Sequence, residues 1–114
     1  MSDEDGLICA YRLNGDGTGE RFATWSDLPA DTGKGIVWVH MDRSVPDAQQ
    51  WLVNRSGLHH IAWEALLAEE TRPRCLAIGD GILLNLRGVN LNPESDPEDM
   101  VSIRILLEKD RIVT

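Results

Sequence analysis

Ile36-Val37-Trp38-Val39-His40-Met41 is the stretch on which the fold turns. It is an apolar run without polar alternation, too short for an ordinary helix and rich in β-branched residues. Such a run reads as a strand covered on both faces, and covered faces require helices. Two helices are predicted directly after it. Pro46 and Asp47 open the first, with Ala48, Trp51 and Leu52 at i, i+3, i+4, and Ser56-Gly57 ends it. The second begins near His59 or His60. Leu58, Ile61, Ala62, Ala65 and Leu66 give it a wide apolar stripe, and it stops before Pro73.

Upstream of this centre, Leu7 to Leu13 reads as a strand. The turn-rich Asn14-Gly15-Asp16-Gly17-Thr18-Gly19 leads from it into a short strand around Arg21-Phe22-Ala23, an opening hairpin. Downstream, Arg74 to Ile78 and Ile82 to Leu86 flank Gly79-Asp80-Gly81, whose Asp-Gly step favours a tight hairpin. Leu91 to Asp99 holds Pro93, Pro97 and the carboxylates Glu94, Asp96, Glu98 and Asp99, the composition of a surface loop. The strand Met100 to Leu107 follows, then a turn at Glu108-Lys109-Asp110. A last strand from Arg111 to Thr114 pairs back onto its predecessor and stops short of usual strand length. The expectation is an α/β fold with a mixed sheet, truncated at the C-terminus, with an unfinished edge near residues 111–114.

The chain has 114 residues, 42% of them hydrophobic, which suits one domain over residues 1–114. Nineteen acidic against 11 basic residues give a net charge of −8. That sign repels phosphate backbones and anionic lipid surfaces, so nucleic acid is not an expected partner. The acidic start Met1-Ser2-Asp3-Glu4-Asp5 and the lack of any apolar run near ~20 residues predict neither a signal peptide nor a membrane span. Cys9 and Cys75 sit in apolar runs and are expected to be buried, unpaired thiols. Trp25, Trp38, Trp51 and Trp63 fall one per element and read as core wedges.

Few motifs carry chemistry. Gly15-Asp16-Gly17-Thr18-Gly19 leads to a strand rather than a helix, which excludes a dinucleotide loop. Thr32-Gly33-Lys34-Gly35 lacks the Ser or Thr after the lysine that a phosphate loop needs. His40 and Asp42 end the central strand, where an aspartate could orient an imidazole for acid–base work; a packed histidine and a helix-capping aspartate are the simpler reading. His59 and His60, with Glu64 one turn beyond His60, put imidazole and carboxylate on one helix face, but two ligands do not make a metal site. The acidic loop lacks the glycine-centred spacing of a calcium loop. From these residues two functional classes stay open: a small metal-assisted or acid–base enzyme using His40, Asp42, His59 or Glu64, and a self-associating module without catalysis.

A resemblance reaches further. Glu69-Glu70-Thr71-Arg72-Pro73-Arg74, then Leu84-Asn85-Leu86-Arg87-Gly88-Val89-Asn90-Leu91-Asn92-Pro93, then Asp96-Pro97-Glu98-Asp99-Met100-Val101-Ser102 occur in order. Together they resemble the CorA-type divalent metal ion transporters, in particular the ZntB zinc branch. The resemblance implies an α/β domain with a largely antiparallel sheet, lying N-terminal on the cytoplasmic side of a membrane. A long stalk helix and two transmembrane helices would follow in a homopentamer, so this chain would touch the membrane only through a part it lacks. The implied role is a funnel that helps assemble subunits and couples ion level to gating, with zinc before magnesium as the ion and no enzyme activity. No cofactor is implied for this fragment, and no family metal ligand carries over. His59, His60 and Glu64 are the candidate metal side chains. Gly88-Val89-Asn90 matches the family's pore letters but sits in a segment with no membrane character.

Overall fold

The computed structural model describes residues 5–29, 35–68, 72–98 and 100–114. The strands are β1 (Leu7–Leu13), β2 (Gly19–Arg21), β3 (Ile36–Met41), β4 (Arg74–Ile78), β5 (Gly81–Gly88), β6 (Val101–Leu107) and β7 (Arg111–Val113). They form one sheet in the order β2-β1-β3-β7-β6-β5-β4. All neighbours are antiparallel except β3 and β7. This is the mixed, largely antiparallel α/β fold that was expected. The opening hairpin forms two residues earlier than its sequence suggests, because the register pairs Leu13 with Gly19 across the glycine-rich turn.

Helix α1 (Pro46–Gln50) starts with Pro46 in its first turn, where the missing N–H costs nothing. It continues through Trp51–Arg55 as a wider π turn, closed by the Ser56 N–H on the Trp51 carbonyl at 2.8 Å. Helix α2 (His60–Leu67) is capped by His59, whose Nδ1 accepts the Ile61 N–H at 3.2 Å. Its last carbonyls are met by cations. Arg43 donates to the Leu67 carbonyl at 3.5 Å and Arg104 to the Ala68 carbonyl, the charge that a helix C-terminus favours.

Both helices pack on one face of the sheet. That face is built from Leu7, Ala10, Val37, Val39, Met41, Val113, Leu106 and Leu83, closed over by Ala48, Trp51, Leu52, Ala62 and Leu66. Leu7 and Ala10 share this face although they are three apart, because a bulge between Leu7 and Cys9 absorbs one residue. Trp25 stacks on Trp51 at 5.2 Å and donates its indole N–H to the Asp5 carbonyl. Trp38 and Trp63 are only half-buried, so two of the four tryptophans are core wedges in the full sense.

Three expectations are corrected here. First, residues 111–113 are not an edge. β7 lies between β3 and β6, with Val37 N–H on the Asp110 carbonyl, Thr114 N–H on the Val39 carbonyl, and Met41 N–H on the Thr114 carbonyl. A three-residue strand suffices because both sides are paired. Second, β3 alternates in burial: Val37, Val39 and Met41 are buried, while Ile36, Trp38 and His40 face away from the helices. Among the described residues no helix lies on that second face. Third, Cys75 is exposed, since β4 is an outer strand, and Cys9 is half-buried.

The two thiols therefore differ in reactivity. Burial pushes the Cys9 thiol up from its ordinary value, partly offset by Arg21. Because the thiolate is the reactive form, Cys75 should be alkylated first by iodoacetamide at neutral pH, by about tenfold in rate. Peptide mass spectrometry over a time course reads this directly, and faster labelling of Cys9 would contradict the placement of β4.

Candidate functional site

His40 and Asp42 stand where β3 ends beside the end of β7, the place where a sheet of this type offers side chains to a crevice. A cavity of about 290 Å³ opens there, bordered by His40, Asp42, Arg43, Ser102, Arg104 and Thr114 over an apolar floor that includes Leu52 and Leu66. His40 is held rather than poised. Its ring stacks on Trp38 at 5.9 Å, and Trp38 in turn stacks on Tyr11 at 6.1 Å. Thr114 Oγ1 accepts the Trp38 indole N–H at 2.9 Å and lies 2.8 Å from His40 Nδ1. An indole N–H can only donate, so the threonine's own proton is available to the imidazole. The hydroxyl is thus a structural hub between two rings.

Asp42 does not cap α1, whose N-cap is Val45 without a side-chain bond. Its Oδ1 instead accepts the Ser44 N–H at 3.0 Å and the Ser44 hydroxyl at 2.6 Å, tightening the turn ahead of the helix. These bonds to Ser44 hold its carboxyl below the usual carboxylate range. Arg104 is lowered from its ordinary value, chiefly by burial and then by the like charge of Arg43. It remains a cation at any physiological pH.

His59, His60 and Glu64 are all exposed at the start of α2. The two rings lie 4.4 Å apart, centre to centre. A second cavity, of about 340 Å³, lies beside them and is lined by His59, Asp80, Glu108, Lys109 and Asp110. Glu108 there is engaged by Arg111, Nε to Oε1 at 2.6 Å. Among the described residues no three His, Cys, Asp or Glu side chains converge closely enough to hold a metal ion. The structure thus groups His40 with Asp42, and His59 with His60, and does not join the two groups into one centre.

Sequence reading missed Arg43, Arg104 and Thr114. Arg104 had a signal, a single charge inside the apolar strand Val101–Leu107. Thr114 had none, because its role comes from the parallel pairing of β3 with β7, a contact between segments over seventy residues apart; Arg43 had none either, because its bond runs from the turn after β3 to the Leu67 carbonyl at the end of α2.

Taken together, the fold is an α/β scaffold whose polar groups serve turns, helix ends and ring packing. Residues 33–114 match the family profile described as CorA-like Mg2+ transporter protein, and the chain belongs to that family. It is 46% identical, over 98% of its length, to the "Divalent cation transporter CmaX" of Pseudomonas aeruginosa, of which it covers 34%. It is 33% identical, over 94% of its length, to the "Zinc transport protein ZntB" of Yersinia pseudotuberculosis, of which it covers 32%. The chain thus spans about a third of these curated relatives. The structure of full-length CmaX superimposes with a TM-score of 0.86 at 46% identity, covering 97% of this chain and 35% of that one. The ZntB cytoplasmic domain from Vibrio parahaemolyticus RIMD 2210633 does so with a TM-score of 0.73 at 27% identity, covering 95% of this chain and 42% of that one. The resemblance seen in the sequence is borne out, and the sheet is the one found in the ZntB cytoplasmic domain.

Proposed function

We propose that residues 1–114 form the N-terminal cytoplasmic domain of a longer CorA-type divalent cation transporter, carrying zinc before magnesium. In this reading the domain serves subunit assembly in a homopentamer and ion-linked gating, without forming the pore and without enzyme activity. The observation that carries it is the superposition of 95% of this chain on 42% of a structure described as the ZntB cytoplasmic domain, together with the identity to the zinc transport protein ZntB. In agreement, no helix among the described residues is long and apolar enough to cross a membrane. The net charge of −8 suits a surface that concentrates cations near a pore. His59, His60 and Glu64 are the side chains proposed to meet such an ion, as a weak surface contact, since zinc sites need three or four protein ligands.

The test is uptake by the complete reading frame reconstituted in liposomes, with zinc and magnesium supplied separately and the particle sized by light scattering. Zinc uptake above magnesium in a pentameric particle is the expected result. Uptake of neither ion would refute the transport reading, and magnesium alone would refute the order of ions. In that preparation His60→Ala should leave transport intact, and in the separate 114-residue chain it should lower the zinc retained at equilibrium dialysis.

A further inference from the structure

The crevice at the ends of β3 and β7 holds two cations where the helix end beside it needs one. Arg43, in the turn after β3, and Arg104, on β6, donate to consecutive carbonyls, those of Leu67 and Ala68 at the end of α2. A single guanidinium carries five N–H donors in a fixed fork, enough to meet two neighbouring carbonyls. A second one beside it sets two like charges together, and both side chains are half-buried. The cost shows in Arg104, whose charged form is disfavoured first by burial and then by Arg43. An anion in contact with both guanidiniums offsets that repulsion. Two of the 11 basic residues of a chain with 19 acidic ones thus converge on one corner.

The space they border suits a particular kind of anion. The cavity there, of about 290 Å³, is at the lower end of the size range of ligand sites. Its floor is apolar, with Leu52 and Leu66 only 1% and 4% exposed. Ser102 borders it two residues before Arg104, on the same side of β6, and puts a hydroxyl on the same wall. Among the described bordering residues Asp42 is the one carboxylate, and the Ser44 bonds favour its ionised form. A second negative charge on an occupant would lie against the apolar floor or beside Asp42, and both are unfavourable. We propose that this cavity is a binding site for a small organic monocarboxylate, its head held by Arg43 and Arg104 and its aliphatic body laid on Leu52 and Leu66. Arg43 is the adaptable partner, since its bond to Leu67 is long, at 3.5 Å. The inference goes beyond the transport reading and does not rest on it.

Titration calorimetry of the 114-residue chain with hexanoate is the test. Acetate and butanoate serve as shorter acids, hexanamide as the uncharged match, and succinate and inorganic phosphate as multiply charged anions. Hexanoate should bind at a single site, and each methylene added from acetate onward should tighten binding about fourfold. Hexanamide, succinate and phosphate should each bind at least about tenfold more weakly than hexanoate. In nitrogen–proton correlation spectra the Nε–H signals of Arg43 and Arg104 should shift during the titration. Arg43→Gln should weaken hexanoate by at least about tenfold while the melting temperature changes little. Arg43→Lys should keep part of the affinity, because it restores the charge without the fork, and Arg55→Gln, away from the cavity, should change nothing. Hexanamide binding as tightly as hexanoate would overturn the proposal, leaving only an apolar cleft. So would an unchanged affinity in Arg43→Gln, a preference for phosphate, or no saturable binding of hexanoate at millimolar concentration. The titration is repeated on the complete reading frame in detergent, where loss of hexanoate binding would likewise overturn it. Failure of ion uptake in liposomes would leave the inference standing and refute only the transport reading.

Discussion

Leu106→Ala is expected to cost the fold about 3 kcal/mol, within the range for buried leucines whose surroundings close only partly. Leu106 is 1% exposed and lies in register between Leu83 on β5 and Val113 on β7, both also buried. Ala62 and Leu66 of α2 belong to the same cluster. Strands on both sides are fixed by backbone bonds, so the sheet cannot close on the cavity, and α2 can follow only by giving up its contacts with the Arg43 and Arg104 guanidiniums. Domains of this size are stable by roughly 5–15 kcal/mol, and one with an uncovered apolar face belongs at the lower end. Urea denaturation followed by circular dichroism should show a lower midpoint with unchanged slope. Leu107→Ala, one residue on and facing away from the helices, is the control and should cost less than half as much. Equal costs for the two would mean that the helices do not lie on the Leu106 face.

Most of this architecture could be read from local pattern. The helix end at Ser56, the Gly79-Asp80 hairpin and the strand around Val101–Leu107 follow from spacing and turn chemistry, and the structure places them as read; α2 ends at Leu67, before Pro73 as expected but ahead of it by several residues. What could not be read is long-range pairing. The run Ile36–Met41 looks the same whether its second face is covered by helices of this chain or left open, because periodicity reports what a face is made of and not what sits on it. The short segment Arg111–Val113 looked like an edge because length was the only cue available. Its position between β3 and β6 is a matter of topology, and a parallel neighbour far away in sequence leaves no local mark. The site has the same limit. His40 and Asp42 were recognisable as side chains at a strand end, yet Thr114 and Trp38 fix the imidazole through contacts no spacing predicts. The resemblance carried the family where residue chemistry stopped, since a fold does not by itself declare a function and no catalytic spacing was there to read.

Gly35→Ala should destabilise by at least about 2 kcal/mol, and the reason is geometric. Gly35 sits at φ +81°, just before β3, and a Cβ built there would lie 2.3 Å from the Leu13 carbonyl oxygen. That oxygen belongs to the last residue of β1, whose register partner is Ile36. The methyl group therefore cannot be accommodated by a side-chain rotation; β1 and β3 must part at this end, or Gly35 must leave the left-handed region. Parting them loosens the pair that carries Val37 and Val39 into the core, so the strain reaches the centre of the sheet. Gly57 separates the two contributions, because it has φ +73° with no atom within 4 Å of its hypothetical Cβ. Gly57→Ala should cost only the left-handed penalty of about 1 kcal/mol, and the difference between the variants measures the collision with Leu13. Denaturation midpoints of the two proteins in urea give that difference, and equal costs would show that the β1–β3 end yields without strain.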